Sequence, residues 1–99
     1  MIFVLSGLTV SQPTHRLTID STVLATPFRI YYANSEYYTN STPWERELAE
    51  GVYIISLEQN FTVDGTTYVF LQWQDGNASL TRTVILTQDV SVGANYTVG

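Results

Sequence analysis

Four of the five asparagines in this 99-residue chain stand in Asn-x-Ser/Thr triplets: Asn40-Ser-Thr42, Asn60-Phe-Thr62, Asn77-Ala-Ser79 and Asn95-Tyr-Thr97. Only Asn34 stands outside one. The triplet is the acceptor pattern for N-linked glycans, and an acceptor amide must sit on an accessible surface. Ser and Thr make up roughly a fifth of the chain, so chance gives about one triplet from so few asparagines. Four is an excess. Asn40 and Asn77 fall in expected loops and are the better acceptors. Asn95 falls inside an expected strand and qualifies only if it faces solvent. The competing explanation is that Asn-x-Thr is an ordinary mixture of turn and strand residues.

The second group with chemical potential is Tyr31-Tyr-Ala-Asn-Ser-Glu-Tyr-Tyr38. Tyr with Ser and Asn is the composition of adaptable contact loops, where rigid amphipathic rings supply area at low entropic cost. Tyr31, Tyr32, Tyr37 and Tyr38 are therefore contact-surface candidates for a sugar or a protein. The alternative is a hairpin whose tyrosines pair across strands.

Catalytic and metal chemistry finds less to work with. Calcium takes six to eight oxygens, usually from clustered Asp. Asp64, Asp75 and Asp89 instead border separate loops, as turn-capping residues do. His15 is the only histidine, so neither a zinc cluster nor a Ser-His-Asp site has supporting context. Glu45 and Glu47 flank Arg46 on a short run and read as a solvated edge rather than a glycosidase carboxylate pair. No catalytic residue, metal site or cofactor is expected, and the chain reads as a non-enzyme. The basic residues are Arg16, Arg29, Arg46 and Arg82, so there is no lysine, and there is no cysteine. Isopeptide cross-links, disulfides and thiolate sites are excluded.

The net charge of −5 argues against partners with phosphate backbones and against anionic bilayers. Charged residues are 13% of the chain, about half the usual share. The polar surface must come from Thr, Ser, Asn and Gln, which with Val, Ile and Tyr suit strands and turns. The start, Met1 to Val10, is apolar. It is shorter than the about 20 residues a membrane helix needs, and it lacks the basic flank of a signal peptide. It reads as a first strand. Ile2, Val4, Leu8 and Val10 would share one face, which suits a strand lent to a neighbour's sheet edge.

Positioning of these residues falls to many short strands. Strand-like runs cover 2–10, 16–20, 27–32, 37–39, 52–57, 61–63, 67–74, 81–87 and 90–98, with turn residues between them. Pro43 to Glu50 reads either as one helical turn or as a strand with Trp44, Arg46 and Leu48 on one face. Asp64-Gly65 and Asp75-Gly76 are hairpin signals, because Gly accepts the positive φ these turns require. Such spacing predicts a single all-β domain over residues 1–99, a mainly antiparallel sandwich of about seven to nine strands. Period two puts Val69, Leu71 and Trp73 on one face, with Trp73 at the centre of the core.

Tyr68, Phe70, Trp73, Asp75 and Gly76 form Y-x-F-x-x-W-x-D-G, followed by Arg82 to Asp89 and then Ala94-Asn-Tyr96. This resembles the Ig-like "bacterial repeat" modules of prokaryotic surface proteins. Leu17-Thr-Ile-Asp20 through Thr26-Pro27 to Glu50-Gly51-Val-Tyr53 resembles the opening of PEGA-like modules. Ser21 departs from the Gly usual in that opening, and 31–43 looks like an insertion. The resemblance covers about residues 17–97. It implies an Ig-like sandwich serving as a non-catalytic spacer, stalk, S-layer, adhesin or filament module, extracellular, on a prokaryotic cell surface, the archaeal included. Its partners would be other copies of itself or neighbouring modules, and glycans. No nucleic acid and no direct membrane insertion are expected. The alternative is an adhesin-like carbohydrate- or protein-binding module using Tyr31–Tyr38.

Overall fold

A computed structural model describes residues 13–32 and 37–99, with the side chains of Tyr37 and Tyr38 outside that description. The described residues form nine strands, β1 (Thr14–Ser21), β2 (Pro27–Tyr32), β3 (Tyr37–Ser41), β4 (Trp44–Ala49), β5 (Gly51–Leu57), β6 (Asn60–Val63), β7 (Thr66–Trp73), β8 (Thr81–Leu86) and β9 (Val90–Val98). They build two sheets, one ordered β4-β1-β9-β7-β6 and the other β3-β2-β5-β8. The described residues contain no helix, so the chain is an all-β sandwich. Of the two readings of Pro43 to Glu50, the strand is the one formed. Leu48 and Trp44 point inward while Glu45 and Glu47 stay exposed.

Alternation builds the core. Leu17 and Ile19 of β1, Trp73 of β7, and Val92, Ala94 and Tyr96 of β9 come from one sheet. Phe28 and Ile30 of β2, Tyr53, Ile55 and Leu57 of β5, and Val84 and Leu86 of β8 come from the other. Phe28 meets Trp44 edge to face, with centroids 5.4 Å apart. This contact ties β2 to β4 across the two layers. Tyr96 takes both Phe61 and Phe70 edge to face, at 5.0 and 5.5 Å.

The expected face of β7 is corrected by a bulge. Trp73 pairs with Ala94 and Gln72 with Asn95, but Phe70 pairs with Tyr96, so Leu71 has no partner on β9. One extra residue reverses the alternation. Leu71 is 55% exposed, Trp73 is fully buried, and Phe70 packs against both Trp73 and Tyr96. Tyr68, Phe70 and Trp73 therefore face the core, and Val69 and Leu71 do not share their face.

The two Asp-Gly signals also part company. Asp64 (φ 50°) and Gly65 (φ 80°) close a two-residue hairpin between β6 and β7, with both central residues left-handed as that turn demands. Asp75-Gly76 does not join neighbours in a sheet. It begins a crossing from β7 in one layer to β8 in the other, tied down by Gly76 N–H to Trp73 O and Trp73 N–H to Asn77 O.

The β1–β2 and β3–β4 crossings hold the only two buried polar residues described, Thr26 and Thr42. The Thr26 hydroxyl donates to Val23 O at 2.7 Å and meets Ser21 Oγ at 2.8 Å. Thr42 Oγ1 accepts from Thr26 N–H, and Thr42 N–H donates to Thr26 O. Thr26→Val keeps the shape and removes the hydroxyl. It is expected to cost about 1–2 kcal/mol, read by urea denaturation, because Val23 O loses the nearer of its two hydroxyl donors and keeps only Thr42 Oγ1 at 3.3 Å.

Candidate functional surfaces

The four acceptor triplets occupy different environments. Asn40 lies exposed on β3, one edge of the four-stranded sheet, and its Oδ1 accepts from Ser41 N–H. Asn60 is exposed at the start of β6, an edge of the five-stranded sheet. Asn77 is exposed in the β7–β8 crossing, where its Oδ1 accepts from Ser79 N–H at 2.9 Å. Asn95 lies in β9, an inner strand, and is half-buried opposite Gln72. Three amides are thus open to a glycosylating enzyme in the folded chain, and the fourth is crowded by strands on its sheet.

Tyr31 and Tyr32 close β2, pairing in the ladder with Ile54 and Tyr53 of β5. The Tyr32 ring sits edge to face on Tyr53 at 5.2 Å. Tyr37 pairs with Tyr31 and Tyr38 with Ile30 on the β3 side, which is the hairpin arrangement. The side chains of Tyr37 and Tyr38 lie outside the described residues, as do Ile2, Val4, Leu8 and Val10.

One polar cluster emerges that composition alone did not single out. Arg82 lies on β8 in phase with Val84 and Leu86, so its side chain points between the sheets. Its guanidinium stacks 5.2 Å from the Trp73 ring and pairs with the Asp75 carboxylate. Asp75 Oδ1 also accepts from Asn77 N–H. The detectable signal was a charge on the apolar phase of a strand, beside an aromatic and an Asp-Gly turn. Together with Gln74, Ser91, Val92 and Gly93, the pair lines a cleft of about 120 Å³. That is well below the ~300 Å³ at which sites for small organic ligands begin. Gln74 lies over Gly93, where an added Cβ would collide with the Gln74 side-chain amide. The cluster holds the β7–β8 crossing in place.

The Arg82 side chain, and next the Asn77 N–H, lower the exposed Asp75 carboxyl from 3.8 to about 2. A folded value below the unfolded one stabilises the fold above the unfolded value and loses that contribution as pH falls from 3.8 towards 2. In wild type, the Asp75 carboxyl resonance is expected to titrate with a midpoint near 2. Arg82→Gln is expected to move that midpoint upward, measured by carbon-detected NMR.

Several other acidic side chains make contacts at or near the surface. Arg16 lies 3.3 Å from Glu45 and 3.6 Å from Glu47 across the β1–β4 pair. His15 Nε2 lies 3.0 Å from Glu50. Asp89 Oδ1 accepts from Arg16 N–H. Exposed pairs of this kind contribute little stability. Among the described residues, no three His, Asp or Glu side chains converge on a point where a metal ion could sit.

Besides Leu24, Leu71 and Val98, which are exposed elsewhere, three exposed apolar residues adjoin on one face. Val52 and Ile54 of β5 are 45% and 42% exposed, and Ile85 of β8, directly opposite Val52, is 64% exposed. With Tyr31 opposite Ile54, they form a stripe across the outer face of the four-stranded sheet. The stripe reaches its β8 edge. The sequence signal was present in β5, where Val52-Tyr-Ile-Ile55 is apolar in both phases.

Comparison with protein families, with curated proteins and with solved structures found no match.

Proposed function

We propose that this chain is a non-catalytic structural module of an extracellular prokaryotic surface protein or filament, joined to other copies by noncovalent sheet-edge and strand contacts. The apolar stripe of Val52, Ile54 and Ile85 running to the β8 edge carries the reading. Contiguous exposed apolar surface marks a contact site, and an uncovered strand edge is a template for another strand. The other edges are less inviting. β4 presents Glu45, Arg46 and Glu47 to solvent, β6 has four residues, and β3 and β6 bear the acceptors Asn40 and Asn60. On β8, Arg82 guards one end, whereas Thr83 to Leu86 carry no charge. Ile2, Val4, Leu8 and Val10 supply in sequence the alternating apolar face that an added strand needs. The lack of lysine and cysteine leaves noncovalent joining as the route. The acceptor triplets and the resemblance to surface repeats support an extracellular setting.

Electron microscopy and light scattering of the purified full chain test the reading. Concentration-dependent oligomers or filaments are expected. Ile85→Lys is expected to disperse them, while Leu24→Lys, at an apolar residue 75% exposed on the β1–β2 connection, is expected to leave them intact. A chain that stays monomeric at high concentration overturns the reading.

A further inference from the structure

Among the described residues, the only parallel pair joins the first and last described strands. β1 and β9 run side by side in register from Leu17–Val90 to Ser21–Ala94. In a parallel pair the start of one strand and the end of the other lie at opposite poles. Here the chain enters β1 at Thr14 and leaves β9 at Val98. The two points are separated by roughly 35 Å along the strands at ~3.3 Å per residue.

Neither strand is an edge. β1 lies between β4 and β9, and β9 lies between β1 and β7. Tension applied through the two poles draws β1 one way and β9 the other. The evenly spaced, slanted bonds of this parallel ladder lie across that pull and meet it together, in shear. A pull directed across the strands would instead peel the ladder, one bond after another. The ladder is also latched beyond both ends. At the entry pole Asp89 Oδ1 accepts from Arg16 N–H at 2.9 Å. At the exit pole Thr22 N–H donates to Ala94 O, Tyr96 N–H donates to Thr22 Oγ1 at 3.0 Å, and Thr22 Oγ1 donates to Tyr96 O at 3.3 Å. The Thr22 side chain thus continues the pairing where the bulge opposite Leu71 has disturbed the ladder on the other flank of β9. Below the sheet, Leu17 and Ile19 interlock with Val92 and Ala94 in the core.

We infer that the β1–β9 pair is a mechanical clamp, and that the module's further function is to transmit tension between what is attached at its two poles without unfolding. The inference rests on the reading of the chain as a structural module, since only such a module is pulled from both ends. The occupant at each pole is another copy of the module, joined noncovalently, and the clamp asks nothing more of its chemistry.

Single-molecule force spectroscopy on the full chain tests it. One attachment uses handles at the two termini. The other uses a handle at the C-terminus and one at an introduced cysteine, Thr67→Cys, unique because the chain has none of its own. Thr67 O accepts from Gly99 N–H, so this second pair of points shares one pole and pulls across the strands. The end-to-end pull is expected to give a rupture force well above the same-pole pull. Thr22→Val and Asp89→Ala, both at exposed positions, are expected to lower the end-to-end force and leave the same-pole force unchanged, with circular dichroism confirming the fold. Equal forces in the two geometries overturn the clamp, as do end-to-end forces insensitive to both variants. A chain that fails to assemble in the microscopy experiment overturns the proposed function alone, because both pulls act on one molecule.

Discussion

Replacing Trp73 by alanine is expected to remove about 3–5 kcal/mol of folding stability, measured by urea denaturation at neutral pH. The indole is fully buried, and three different contacts depend on it. Its Nε1–H donates to Ser79 O at 2.7 Å, fixing the far end of the β7–β8 crossing. Its ring takes the Arg82 guanidinium on its face and the Phe70 edge at 6.4 Å. Alanine leaves a cavity between the sheets, an unpaired Ser79 carbonyl and a cation without its aromatic partner. A domain of this size holds about 5–15 kcal/mol in total, so the variant is expected to be partly unfolded at modest temperature. Trp73→Phe keeps a ring and loses the indole donor, and its cost is expected to be clearly smaller. Equal costs for the two variants would show that the Ser79 bond, not the packing, sets the value.

The contrast between Trp73 and Leu71 shows how far alternation reads. Both are apolar, they are two residues apart, and period two gives them one face. The bulge at Leu71 separates them, and bulges depend on the pairing partner, here the Asn95–Tyr96 step of β9. Nothing local to β7 announces that partner. The spacing Tyr68-x-Phe70-x-x-Trp73 is, in hindsight, the imprint of the bulge: two residues on the alternation, then three to cross it. The Asp-Gly pairs make the same point. Their backbone chemistry specifies a left-handed glycine, which Gly65 and Gly76 both have. Whether the turn stays in one sheet or crosses to the other depends on which strands pair, a nonlocal matter. Strand existence, by contrast, was readable almost residue by residue, because Pro27–Tyr32 and Val90–Val98 are bounded by residues that favour turns. The Arg82 cluster was legible only as an anomaly, a charge in an apolar phase. The parallel β1–β9 pair had no sequence signal, since it follows from the order in which strands enter the sheet.

That order also explains why the polar chemistry of the molecule clusters at its crossings. A strand in mid-sheet satisfies its own backbone through its neighbours. A segment that leaves one layer for the other must find partners elsewhere. Thr26 and Thr42 supply them at one corner, Asp75, Asn77 and Ser79 at another. The acceptor triplet at Asn77 therefore belongs to a segment already fixed by hydrogen bonds, whereas Asn40 and Asn60 belong to edges.

Tyr96 is the second residue whose loss is expected to be severe. Its ring is 6% exposed and lies between Phe61 and Phe70, so Tyr96→Ala is expected to cost about 3–5 kcal/mol, as for other buried large aromatics. Its hydroxyl donates to Glu58 O at 2.5 Å, tying β9 to the connection between β5 and β6 and thus one layer to the other. Tyr96→Phe isolates that bond and is expected to cost about 1–2 kcal/mol, since Glu58 O loses its donor while the ring stays. The phenol also makes stability depend on alkaline pH. Burial, and next the Glu58 charge, raise it from 10.0 to about 12. A folded value above the unfolded one means its contribution is intact below 10 and is lost as pH rises towards 12. Wild type is therefore expected to lose denaturation free energy across that window, with the absorbance of phenolate appearing late for one tyrosine. Tyr96→Phe, less stable at neutral pH, is expected to lose less across the window, so the two stability curves converge. Parallel curves would place the alkaline sensitivity on another tyrosine and remove Tyr96 as its source.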